Sequence, residues 1–214
     1  MTLLAAESAS GALSTVLMVL LSSAITENIL LTRFLGMCPF LSISKQLKSA
    51  AGMGLAVIVV LTGTCVINYL LYVYVLAPLA DRGVPAESLK LIMFIITIAG
   101  FVQLMEMVIE RLSLKLYYAL GIFLPLITVN CAILGASLFM VNNVQSKGFG
   151  LLSVTAYGLG AGGGWALAIL LMAGIRLRLQ SAKISPALEG PAITLIIAGI
   201  MALAFVGLQG MIRL

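Results

Sequence analysis

Apolar runs of roughly 20 residues recur along the whole chain, and a chain built that way has few folds open to it. They fall at Leu13–Leu41, Gly52–Leu79, Leu89–Ile109, Leu116–Val141, Ser153–Ile175 and Pro191–Ile212. A helix of that length crosses a bilayer's hydrocarbon core while satisfying its own backbone polar groups. The intervening segments are too short for a soluble domain. The expectation is a single all-α transmembrane domain over residues 1–214 with six spanning helices. Composition agrees: charged residues make up 9% of the chain and hydrophobic ones 62%, whereas a soluble domain carries about 25% charge. With a mean hydropathy of +1.21, the chain could not coat a globular surface in water.

The N-terminal residues hold Glu7 and no Lys or Arg. A cleaved signal peptide carries a positive leader, so the first run is expected to stay as a span. Net charge is +5 and the isoelectric point about 9.3. The basic residues are sparse and sit between apolar runs, so they read as topology signals at a lipid surface, with no nucleic-acid partner expected. If the spans alternate, one face collects Lys45, Lys48, Arg111, Lys115, Arg176, Arg178 and Lys183. The other collects Arg82, Lys90, Lys147 and Arg213. The positive-inside rule assigns the first set to the cytoplasm and both termini to the outside. There is no histidine, which excludes a His-based metal site or acid–base centre.

The chain reads as a weak duplication, with halves near 12–112 and 115–214. Gly52-Met53-Gly54-Leu55-Ala56 in the second span echoes Gly162-Gly163-Gly164-Trp165-Ala166 in the fifth. Ile98-Ala99-Gly100 echoes Ile197-Ala198-Gly199, and Cys38 in the first span parallels Cys131 in the fourth. A repeat of three spans must insert its second copy upside down, giving a 3+3 inverted repeat. The first and fourth spans carry helix breakers: Gly36 and Pro39 around Cys38, Gly121 and Pro125 before Cys131. Proline removes a backbone donor and disfavours helix just before it, so spans 1 and 4 are expected to be interrupted. Broken helices of this kind often build a site within the membrane. Gly52, Gly54, Gly158, Gly160 and Gly162–Gly164 would let helices approach closely.

Cys38 and Cys131 are the first candidates for chemistry. A membrane cysteine is most often a packed thiol, but these two flank helix breakers at equivalent places. A structural zinc normally wants four ligands, and so does an iron–sulfur cluster. The chain offers two, so any cluster would need the rest from another subunit. Cys65 lies in an ordinary helical context and reads as packing. Glu106 and Glu110 share one face of the third span, with Gln103 a turn earlier; an ionisable group within a span is a functional candidate. Glu110 precedes Arg111 and reads as a surface residue. Glu27 with Asn28 in the first span could bind Na⁺ or H⁺, or Glu27 could pair with Arg33. Phosphate loops, nucleophile elbows and dinucleotide fingerprints are absent; the Gly158–Gly164 stretch follows no strand and is better explained by helix packing.

Two segments are recognisable: Arg33-Phe34-Leu35-Gly36-Met37-Cys38-Pro39-Phe40, and Leu120-Gly121-Ile122-Phe123-Leu124-Pro125-Leu126-Ile127-Thr128-Val129-Asn130-Cys131-Ala132. With Gln103-Leu104-Met105-Glu106-Met107, they resemble the family that holds the A subunit of the Rnf complex and the E subunit of the Na⁺-translocating NADH:quinone reductase. The likeness covers nearly the whole chain. Cys38-Pro39-Phe40 and the terminal Ile212-Arg213-Leu214 resemble the Rnf branch. Val129-Asn130 and Gly163-Gly164-Trp165 lean towards the quinone reductase; the balance favours Rnf.

The resemblance implies six spans in an inverted repeat with broken first and fourth helices; the expected location is the bacterial inner membrane, where the charge bias makes both termini periplasmic. It implies a homologous partner subunit of opposite topology, Rnf E-type or quinone-reductase D-type, and further subunits carrying flavins and iron–sulfur clusters. It implies one [2Fe–2S] cluster shared between the two homologues, with Cys38 and Cys131 as this chain's ligands to iron. Electrons would be relayed across the membrane, coupled to Na⁺ or H⁺ movement. Glu106 then matches an acidic position for cation passage, with Gln103, Glu27 and Asn28 as further candidates. The chain would be one part of a multi-subunit translocase and hold no catalytic residue by itself. Two other classes stay open: a secondary transporter without a redox centre, and a scaffold whose cysteines only pack.

Overall fold

The computed structural model describes residues 13–80, 86–112, 127, 130–180 and 190–207, and all regular structure among them is helical. Helix α1 (Leu13–Thr26) ends in a π-helical turn at Ser22–Thr26. The short α2 is Met37–Ile43. Helix α3 runs Leu47–Leu71 and continues through a π turn, Tyr72–Leu76, into Ala77–Ala80. Then come α4 (Ala86–Leu112), α5 (Cys131–Lys147), α6 (Leu151–Leu179) and α7 (Pro191–Val206).

Three stretches are long and apolar enough to cross a membrane: Leu47–Leu79, Leu89–Val108 and Leu151–Leu179. They match the second, third and fifth expected spans. The expected first span is interrupted, as its breakers suggest. Helix α1 rises only about 21 Å, short of a hydrocarbon core of about 30 Å; the chain then turns irregularly before restarting as α2. In the fourth expected span, Gly121, Pro125 and Thr128 lie outside the described residues, and the visible helix begins at Cys131. The terminal Ile212-Arg213-Leu214 and Arg82, Lys115 and Lys183 also lie outside them. Lys90, expected at a membrane surface, is buried on α4.

Polarity is arranged for lipid. Helix α4 buries Phe94, Ile98 and Val102 at four-residue spacing, yet its opposite face exposes Leu91, Ile92, Ile95, Ile96 and Leu104. A helix apolar all round belongs in a membrane or a large core. The interior meanwhile holds Ser22, Thr26, Asn28, Thr64, Asn68 and Ser137, each needing a partner that lipid cannot supply.

Helix α6 is the hub. Cβ atoms built on Gly54, Gly158 and Gly162 would stand 3.0 Å from Ala166 Cβ, 2.9 Å from Thr62 Cα and 2.8 Å from Ile58 Cα. Residues 54, 58 and 62 of α3 thus meet 166, 162 and 158 of α6, an antiparallel seam stepping four residues on both sides. A second stripe, Gly160 and Gly164, lies against Leu20, Ser23 and Ala24 of α1. Small residues at such spacing let backbones touch, and van der Waals packing is the main adhesion between helices in lipid. Gly163 points away from both seams, with nothing within 4 Å of a Cβ built on it.

Candidate functional site at the broken first span

Asn28 ends α1 and ties it to the hub. Its buried side chain donates through Nδ2 to the carbonyls of Ala24 (3.2 Å) and Gly164 (2.7 Å). Its Oδ1 accepts from the amides of Leu30 (3.1 Å) and Leu31 (3.4 Å). All the hydrogen-bonding capacity of one amide side chain thus goes to a helix end and its neighbour. The chain then leaves helical geometry, with Phe34 at φ 54° and Gly36 at φ 83°. Gly36 is there for two reasons. Its left-handed backbone favours glycine, and a Cβ would stand 2.6 Å from Trp165 Nε1, 3.0 Å from Asn130 Oδ1 and 3.1 Å from Ala132 Cβ.

This packing joins the two cysteine segments. The Gly36 amide donates to Cys131 Sγ at 3.0 Å, and Cys38 follows two residues later in the first turn of α2. Pro39 sits in that same turn, where a missing N–H costs nothing. Cys131 is the first residue of α5, and Asn130 is its N-cap, with Oδ1 accepting from Ala132 N–H at 3.0 Å. At the other end of α2, Arg176 Nη1 donates to Leu41 O (3.0 Å) and Ser44 Oγ (2.8 Å). A cation on the last carbonyls complements the helix dipole, and the bond brings the ends of α2 and α6 to one face.

Cys38 and Cys131 are exposed free thiols, while Cys65 is free and buried. The set suits half of a cluster site. Two accessible sulfurs share one neighbourhood, and among the described residues no third His, Cys, Asp or Glu gathers with them. Two buried donors there, Trp165 Nε1 and Asn130 Nδ2, have no hydrogen-bond acceptor, although buried polar groups normally find one. Sulfur-rich chemistry at this spot would supply it.

Glu27 faces a different space. With Arg33, Phe139, Asn142, Asn143 and Tyr157 it lines a cavity of about 290 Å³ between the α1 break, α5 and α6. Arg33 lies over the Phe139 ring, 4.7 Å from its centroid, a favourable cation–π placement. Gln103 is exposed and Glu106 partly buried on α4, which packs against α3 and α5; Glu110 is exposed. The structure therefore brings the Cys38 segment to Cys131 through Gly36 but sets Glu106 and Gln103 on a different element from the Glu27 cavity.

Reasoning from the sequence gives Trp165, Asn130, Arg176 and Tyr157 no place in a site. Asn130 carries a usable signal, a cap residue directly before a helix. The chain's one tryptophan carries none.

Fold and site together define a polytopic membrane protein with two exposed cysteines, one of them from a broken span. The protein belongs to the Rnf-Nqr family of membrane proteins, whose profile matches residues 16–212. It is 49% identical to the E subunit of the Na(+)-translocating NADH-quinone reductase of Marinobacter nauticus, covering 91% of this chain and 96% of that one. Identity is 44% to the A subunit of the Na(+)-translocating ferredoxin:NAD(+) oxidoreductase complex of Acetobacterium woodii, over 92% and 98%. It is 41% to the A subunit of the ion-translocating oxidoreductase complex of Glaesserella parasuis, again over 92% and 98%.

Proposed function

We propose that this chain is a membrane subunit of an ion-translocating oxidoreductase, and that it contributes Cys38 and Cys131 to a [2Fe–2S] cluster shared with a homologous subunit. The observation that carries the reading is the Gly36 N–H donated to Cys131 Sγ, which brings the two cysteine segments together. A bound [2Fe–2S] cluster supplies a one-electron relay. The residues here do the holding. Asn28 anchors the break to α6, Gly36 allows the close approach, Asn130 caps α5, and Arg176 secures the far end of α2.

The finer architecture belongs to this proposal: six spans as a 3+3 inverted repeat with interrupted helices 1 and 4, in the bacterial inner membrane, with both termini periplasmic. The antiparallel α3–α6 seam supports it, since these are the equivalent second helices of the two halves. So does the Arg176–Ser44 bond, which brings two loops expected on the cytoplasmic side to one face. Electron relay would couple to Na⁺ or H⁺, with Glu106, Gln103, Glu27 and Asn28 as pathway candidates. A change in cluster charge acts on a nearby cation most strongly where the dielectric is low.

The Rnf-type assignment, ferredoxin:NAD⁺ oxidoreductase, rests on Cys38-Pro39-Phe40 and the terminal Ile212-Arg213-Leu214. A second reading, the quinone-reductase E subunit, is favoured by the higher identity, 49% against 44% and 41%. The subunits that co-purify distinguish the two. Iron content and electron paramagnetic resonance (EPR) of the purified complex test the function. Cys38→Ala and Cys131→Ala should each abolish one cluster signal; unchanged spectra would sink the redox reading and leave a transporter without a redox centre.

A further inference from the structure

The redox reading leaves two features unused: the indole N–H of Trp165 and the amide of Asn130. Trp165 is fully buried on α6, and Asn130 is 4% exposed. Both present donor atoms without an acceptor. They converge on one residue. A Cβ on Gly36 would stand 2.6 Å from Trp165 Nε1 and 3.0 Å from Asn130 Oδ1. That same Gly36 gives its amide to Cys131 Sγ. Two N–H groups, the Gly36 amide and the Trp165 indole, therefore meet at one end of the half-site, and only the first is satisfied. An indole N–H is donor only, and leaving it buried without an acceptor costs about 1–3 kcal/mol. Packing alone gives no use for the N–H, which phenylalanine lacks.

We infer that Trp165 is a positioning and tuning residue for the shared cluster: its indole N–H donates a hydrogen bond to the sulfur of the assembled site. The inference rests on the proposed cluster and deepens it. Reduction adds one negative charge, shared onto the sulfurs, so a donor aimed at sulfur favours the reduced form and raises the potential. Asn130 Oδ1 is committed to the α5 cap, and its Nδ2 is the other buried donor of this segment without an acceptor.

The test uses the whole purified complex. Trp165→Phe keeps an aromatic ring and removes the donor. In a redox titration read by EPR, the midpoint of the cluster that Cys38→Ala abolishes should fall. The expected size is on the order of tenfold in the reduced-to-oxidised ratio, about 59 mV for a one-electron couple. A midpoint unmoved in Trp165→Phe, with the cluster present, overturns the inference and leaves the cluster assignment standing. Absence of any cysteine-dependent cluster in the wild-type complex overturns both. Should Trp165→Phe fail to assemble, the wild-type complex grown with ¹⁵N-indole tryptophan decides. A ¹⁵N hyperfine coupling to the reduced cluster supports the donor role, and its absence overturns it.

Discussion

At the scale of single residues, the site depends on Gly36. Its φ of 83° would cost a residue with a Cβ about 1–2 kcal/mol, and that Cβ would run into Trp165 and Asn130. Gly36→Ala should therefore reduce iron per complex and the EPR amplitude, while Gly163→Ala, facing open space, should change neither. The three cysteines separate in the same way. Cys65→Ala removes a buried sulfur distant from the break in sequence and should leave the cluster signal intact. A loss of signal as large as that from Cys131→Ala would mean the ligand set has been misassigned.

At the scale of elements, two contacts carry the architecture. The α3–α6 seam has no space for a side chain at Gly158 or Gly162, because the neighbouring atoms are backbone. Leucine at either position must push two helices apart. Overpacking of this kind costs about 1–3 kcal/mol where repacking is available, and more where backbone is the obstacle. The detergent-solubilised protein should lose thermal stability or fail to accumulate, measured by fluorescence-detected size exclusion. The other contact is Arg176 on the end of α2. α2 runs only from Met37 to Ile43, too short to hold itself as an isolated helix. Arg176→Gln should weaken that hold by about 1–2 kcal/mol, allowing for partial exposure of the guanidinium. The readout is faster loss of the cluster signal to an iron chelator at unchanged subunit stoichiometry.

At the scale of the molecule, the incompleteness of the site is the main point. Two thiols, with no third metal-binding side chain gathered beside them among the described residues, would need a second chain to complete the proposed cluster. The chain expressed alone should hold less iron than the complex. Sidedness is testable too. Lys45→Cys and Lys147→Cys, each in a background with Cys38, Cys65 and Cys131 replaced by alanine, should react with a membrane-impermeant thiol reagent from opposite sides. Labelling of both from one side would end the six-span inverted scheme.

The sequence by itself determined the solvent, the all-helical class, the break in the first span and the pair of cysteines. Those follow from local properties: apolar run length, too few charges for a water-facing surface, and glycine and proline beside Cys38. It also marked the α6 glycines as packing positions, since small residues at four-residue spacing have few other uses in lipid. Only the tertiary structure decided which helix each glycine stripe meets, and that Gly163 meets none. It showed Asn28 spending its whole side chain on the α1 end and Gly164. It brought Gly36, Asn130, Cys131 and Trp165 together, although up to 129 positions separate them in the chain. Such convergence depends on how α1, α5 and α6 pack, and helix periodicity carries no information about which faces meet. The lone tryptophan shows the difference most plainly. In the sequence it is one more apolar residue in a glycine-rich run; in the fold it is a buried donor against Gly36, whose amide reaches the Cys131 sulfur.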